Sequence, residues 1–87
     1  MTDLQSQFAR AAESAKNLPK RPSNDMMLKL YALYKQATSG DVAGGRPGFT
    51  DMVGRAKYDA WTQVKGMQRD AAMQEYIALV EKLGGSV

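Results

Sequence analysis

Leu28, Tyr31 and Lys35 stand at i, i+3 and i+7, so a helix through them carries a strip grading from apolar through aromatic to cationic. A ligand with a hydrocarbon end, a flat ring and an anionic end matches that gradient. Lys57 and Trp61, four residues apart, set a second cation beside a large aromatic. Tyrosine rings stack on a base and their hydroxyls donate to phosphate, while lysine supplies a point charge. This is the chemistry of non-covalent recognition. Spacing alone leaves two other uses open: ordinary core packing, and stacking on single-stranded nucleic acid.

Catalytic readings are poorly supported. The chain has no Cys and no His, which removes disulfides, thiolate zinc sites, the cysteine nucleophile and the commonest general base and metal ligand. Serines 6, 14, 23, 39 and 86 have no histidine to activate them, and no local motif offers a lysine base. The nine carboxylates are scattered on expected solvent faces instead of paired in a cleft. The glycines of segment 40–48 lack the G-x-x-x-x-G-K-[ST] phosphate loop and follow no strand, so they read as turn residues. No catalytic residue, metal site or cofactor is expected.

Those recognition residues need a scaffold. Eighty-seven residues make one domain, 1–87, with an ordinary apolar fraction of 44%. The net charge of +3 suits a small anionic ligand better than nucleic acid, where a basic stripe is expected. There is no run of 18 apolar residues, hence no membrane span, and the N-terminal residues lack a secretory pattern, so a cytoplasmic address is the default expectation.

Helical spacing recurs four times, predicting helices over about 4–16, 23–38, 51–65 and 68–83. The first stripe is Leu4, Phe8, Ala11, Ala12 and Ala15, stopped by Asn17-Leu18-Pro19, with Lys20-Arg21-Pro22 as a stiff connector. Ser23 or Asn24 caps the second helix, whose stripe is Met27, Leu30, Tyr34 and Ala37 and which fades at Thr38-Ser39-Gly40. In the loop that follows, Pro47-Gly48 fits a type II turn with Gly at positive φ. Thr50 can cap the third helix, with Asp51 in its first turn. Val53, Ala56, Ala60, Trp61 and Val64 give that helix its apolar face, and Gly66 is its stop. Ala72, Met73, Tyr76, Ile77, Val80 and Leu83 form the fourth stripe. With one long connection and the rest short, the pattern fits a four-helix bundle with an overhand connection.

The run Tyr31-Ala32-Leu33-Tyr34-Lys35-Gln36-Ala37-Thr38-Ser39-Gly40-Asp41, read as Y-x-x-Y-K-Q-A-T-x-G-D, resembles the acyl-CoA-binding protein family. Arg46-Pro47-Gly48, Lys57-Tyr58-Asp59-Ala60-Trp61 and Ala72-Met73-Gln74-Glu75-Tyr76-Ile77 follow in the family's order, and Phe8, Ala12 and Lys16 fall where it places comparable residues. The likeness extends from about Phe8 to Leu83. It implies an all-α, up-down-down-up bundle that carries fatty acyl-CoA in a shallow bowl. By resemblance, Lys35 and Lys57 hold phosphates with Tyr31 assisting, Tyr34 lies against the adenine, and Lys16 and Tyr76 add contacts. Ala12, Pro22, Met27 and Leu28 line the acyl channel by the same resemblance.

It further implies a monomeric carrier that sequesters and transports medium- to long-chain acyl-CoA and meets acyl-CoA-using enzymes transiently. A nucleic-acid-binding or protein-interaction module is the alternative. Three departures stand out. Val53 replaces a frequent lysine, with Arg55 nearby as a candidate substitute. Tyr58 replaces a frequent tryptophan. The loop at Ala43-Gly44-Gly45 is smaller and less charged than usual, which questions its rigidity.

Overall fold

The computed structural model describes residues 3–86; the ends of the expected domain 1–87 lie outside the described residues. Its four helices are α1 (Leu4–Ala15), α2 (Asn24–Ser39), α3 (Met52–Gln63) and α4 (Arg69–Lys82), and there is no strand among the described residues. Each boundary falls within two residues of the expected one. Among them no helix is long and apolar enough to cross a membrane.

Side-chain caps set three of the helix starts. Asp3 accepts from the Ser6 amide, Ser23 from the Met26 amide and Asp51 from the Gly54 amide. The third of these corrects the sequence reading, because Asp51, not Thr50, is the cap. At the other end of α2, Gly40 takes φ 79°, a conformation that glycine adopts without a steric penalty. Two further expectations fail locally. Gly48 is not at positive φ; within the loop Gly44 is, at 83°. α3 also ends at Gln63, two residues earlier than expected, before a turn in which Gly66 takes φ 91°.

The helices pack in the order α1–α4–α2–α3, making a bundle with principal extents of 44 × 28 × 15 Å. This row explains where the sequence stripes succeed and fail. A helix packed mainly on one neighbour buries one stripe, as α1 does on α4 with Phe8 and Ala11. A helix between two neighbours must bury more of its circumference. α2 therefore buries Leu30, Leu33 and Ala37 in the main core with α4, and buries Ala32 and Gln36 as well. Met27 and Tyr34, expected in the α2 core stripe, are instead 42% and 40% exposed. α4 likewise adds Leu79 to the expected Ala72, Met73, Tyr76, Ile77 and Val80, while Leu83 packs half-buried against the core.

α3 is the outlier, because none of its residues is fully buried and Val53 of its expected apolar face is exposed. Polar links add to its half-buried packing on α2 and hold the long loop as well. Trp61 Nε1 donates to the Gly40 carbonyl at 2.9 Å and to Gln36 Oε1 at 3.2 Å. Gln36, only 2% exposed, donates in turn to Asp41 Oδ1 and the Met67 carbonyl, each at 2.9 Å. Asp41 also accepts from the Gly66 amide at 2.8 Å. One buried amide thus joins the end of α2, the loop and the start of the α4 approach. Arg46 grips Asp59 through two bonds, at 2.7 and 2.9 Å, and Tyr58 donates to the Gly44 carbonyl at 2.9 Å. The small loop is therefore pinned, and the tyrosine at position 58 supplies one of the pins.

Candidate functional site

Because α2 buries its flanks against α4 and α3, a third side of the helix is left facing outward. Met27 and Tyr31 stand on that side and line two clefts at once. The first cleft, of about 510 Å³, follows α2 from Met27 through Leu30 and Tyr31 to Tyr34, Lys35 and Thr38. That is roughly 16 Å of helix rise. Pro22 and Leu18 from the α1–α2 connection and Tyr76 from α4 complete it. The second cleft, of about 610 Å³, lies between α2 and α3, with Leu28 on one side and Met52, Val53, Ala56 and Lys57 on the other.

Aromatic contacts fix the rings of the first cleft. Phe8, Tyr34 and Tyr76 meet edge to face, with centroid separations of 5.5, 5.1 and 6.1 Å. Tyr76 is 5% exposed, and its phenol is pushed above its ordinary value first by burial and then by Tyr34. It remains a neutral hydroxyl at physiological pH. The two cations are also placed by rings. Lys35 Nζ lies 5.1 Å from the Trp61 ring centroid, and Lys57 Nζ lies 5.2 Å from that of Tyr31. A ring face attracts an ammonium without occupying its N–H donors as a carboxylate would. The Trp61 ring beneath Lys35 is itself held by the Gly40 and Gln36 bonds.

Eight of the ten expected site residues, all but Lys16 and Ala12, line one cleft or the other. Lys16 is exposed and paired with Glu13 at 3.2 Å, and Ala12 packs half-buried against the core. The graded strip through Leu28, Tyr31 and Lys35 is not one wall. Leu28 belongs to the α3-side cleft and Lys35 to the other, with Tyr31 common to both. Arg55, the candidate substitute for a lysine at Val53, lines neither cleft, and its guanidinium stands 4.8 Å from the Phe49 ring centroid. Residues missed at the sequence level include Leu18 and Arg21. Arg21 had a visible signal in the stiff Lys20-Arg21-Pro22 connector, whereas Leu18 looked only like part of the helix stop. No cluster of three or more metal-ligating side chains gathers among the described residues.

The fold is all-helical, and its apolar double cleft edged by ring-mounted cations has the chemistry to suit an amphipathic anion. The family model of "Acyl CoA binding protein" matches residues 5–80. The chain is 53% identical over 77 residues to an acyl-CoA-binding protein homolog of Drosophila melanogaster, covering 88% of this chain and 90% of that one. It is 50% identical over 76 residues to acyl-CoA-binding protein homolog 1 of Caenorhabditis elegans, covering 87% and 88%. The crystal structure of acyl-CoA-binding protein 2 of Oryza sativa superposes with a TM-score of 0.89 at 48% identity, covering 93% of this chain and 90% of that one. The chain belongs to the acyl-CoA-binding protein family.

Proposed function

We propose that this protein binds fatty acyl-CoA esters non-covalently, keeping the thioester and acyl chain from water and releasing them to acyl-CoA-using enzymes. The observation that carries this reading is the junction at Met27 and Tyr31, where an apolar cleft and a cleft bearing Tyr34, Lys35 and Tyr76 meet. Lys35 from the first cleft and Lys57 from the second take the phosphates, and Tyr34 presents its ring to the adenine. Tyr76 contributes its hydroxyl at the inner wall. Met27, Leu28 and Pro22 accept the hydrocarbon. Lys16 and Ala12 are assigned secondary roles, since they lie outside both clefts.

Hydrocarbon burial supplies most of the affinity and the nucleotide most of the recognition. Each buried methylene contributes about 0.8 kcal/mol, so eight contribute about 6 kcal/mol before the cost of ordering the chain. The protein acts as a monomeric cytoplasmic carrier with no catalytic step of its own. Calorimetry with palmitoyl-CoA, free CoA and palmitate tests the reading. Palmitoyl-CoA should bind at least a hundredfold more tightly than either fragment, on the order expected from partial chain burial. Equal affinity for all three ligands would refute it.

A further inference from the structure

Phe49, Met52 and Val53 are 87%, 77% and 67% exposed. Single exposed apolar side chains are ordinary, but these three fall within five residues, just ahead of α3 and in its first turn. They form one tract, because Met52 lines a shallow groove with Phe49 and also lines the second cleft with Val53. α3 packs on α2 alone among the helices, which leaves this end of it facing outward.

The rim of the tract is basic. Arg55 stacks over Phe49, and Arg21 and Lys57 share the second cleft with Met52 and Val53. Of the nearby carboxylates, Asp59 is offset by Arg46, and Asp51, which caps the helix, sets one negative charge against the three cations, leaving the rim net positive. Apolar side chains standing out from a basic rim complement an anionic bilayer, where the apolar groups enter the headgroup boundary and the cations meet lipid anions. A stable protein interface needs roughly 800 Å² per partner, more than three side chains provide. We propose that the Phe49–Met52–Val53 tract docks the protein on anionic membrane surfaces. Met52 and Val53 belong to both tract and cleft, so the second cleft opens beside the contact.

The absence of cysteine allows a direct test. Phe49→Cys and Ala78→Cys each accept one environment-sensitive fluorophore. Ala78 is exposed on α4, which does not pack on α3. The probes are phosphatidylcholine vesicles with and without phosphatidylserine, free of acyl-CoA, so the result is independent of the ligand reading above. The dye at 49 should shift to the blue and be quenched by spin-labelled lipid when phosphatidylserine is present, and the dye at 78 should not. In co-sedimentation, each basic side chain at the surface should add about fivefold to binding of anionic vesicles. Phe49→Asp should lower that binding by roughly tenfold or more, and Ala78→Asp, the same change in charge, should largely retain it. Matching responses of the two dyes, equal losses in the two aspartate variants, or no vesicle binding by the unmodified chain would overturn the proposal. So would a shift at 49 that grows with protein concentration without lipid, which would assign the tract to a second copy.

Discussion

Lys35 and Lys57 are mounted on the Trp61 and Tyr31 ring faces, which orient each ammonium and leave its donors free. Lys35→Ala and Lys57→Ala should each weaken acyl-CoA binding by about 1.5–3 kcal/mol, the scale of a charge-assisted hydrogen bond. Their melting points should change little; titration calorimetry beside thermal melting separates the two effects, and undiminished affinity would make both lysines bystanders. Tyr76 tests a subtler role, because its ring is core and its hydroxyl is the part assigned to the ligand. Tyr76→Phe should cost about 1 kcal/mol of affinity with the fold intact. A lower melting point at unchanged affinity would return the whole side chain to the core. At this scale the motif Y-x-x-Y-K-Q-A-T-x-G-D proves composite: Tyr31, Tyr34 and Lys35 face the clefts, whereas Gln36 and Asp41 hold the loop that supports them. The sequence made the first group visible through type and spacing. It could not reveal the second, because a glutamine's role depends on partners as distant as Met67.

Among the elements, α3 is held least by apolar burial. It carries Lys57 and one side of the second cleft, yet none of its side chains is fully buried, and polar links add to its half-buried packing on α2. Regions with few buried contacts open at low free energy. Native-state hydrogen exchange should therefore find α3 amides exchanging faster than those of α2 and α4, and palmitoyl-CoA should slow α3 most. Uniform protection across all four helices would contradict this. The helices themselves were legible from spacing to within two residues. What spacing missed was the set of faces that each central helix buries: Met27 and Tyr34 looked like one core stripe because the two-sided packing of α2 is a property of its neighbours.

The molecule as a whole should be most sensitive to acid through three aspartates. The Asp3 carboxyl is held below its ordinary value by the Ser6 amide, Asp41 by Gln36 and then Gly66, and Asp59 by Arg46. A carboxylate whose value is depressed on folding contributes fully above its unfolded value and loses that contribution as pH falls through the folded one. The ordinary value here is 3.8, so the melting point should hold from about pH 7 to about pH 5 and fall below about pH 4. Asp41→Asn should flatten that acid limb. A melting point indifferent to pH down to about 2 would show that these bonds contribute no net stability.

The row α1–α4–α2–α3 also governs how substitutions combine. Its terminal members, α1 and α3, do not pack on each other. Energetic coupling fades between sites without shared partners, typically to within about 0.3–0.5 kcal/mol. Phe8→Leu and Ala60→Gly should thus have additive effects on unfolding free energy, whereas Phe8→Leu and Tyr76→Leu, whose rings lie 5.1 Å apart, should not. A thermodynamic cycle with large coupling between positions 8 and 60 would contradict this. If additivity holds, the α3 end, with its cleft wall and exposed tract, is free to diverge in sequence without compensating changes at the α1 end.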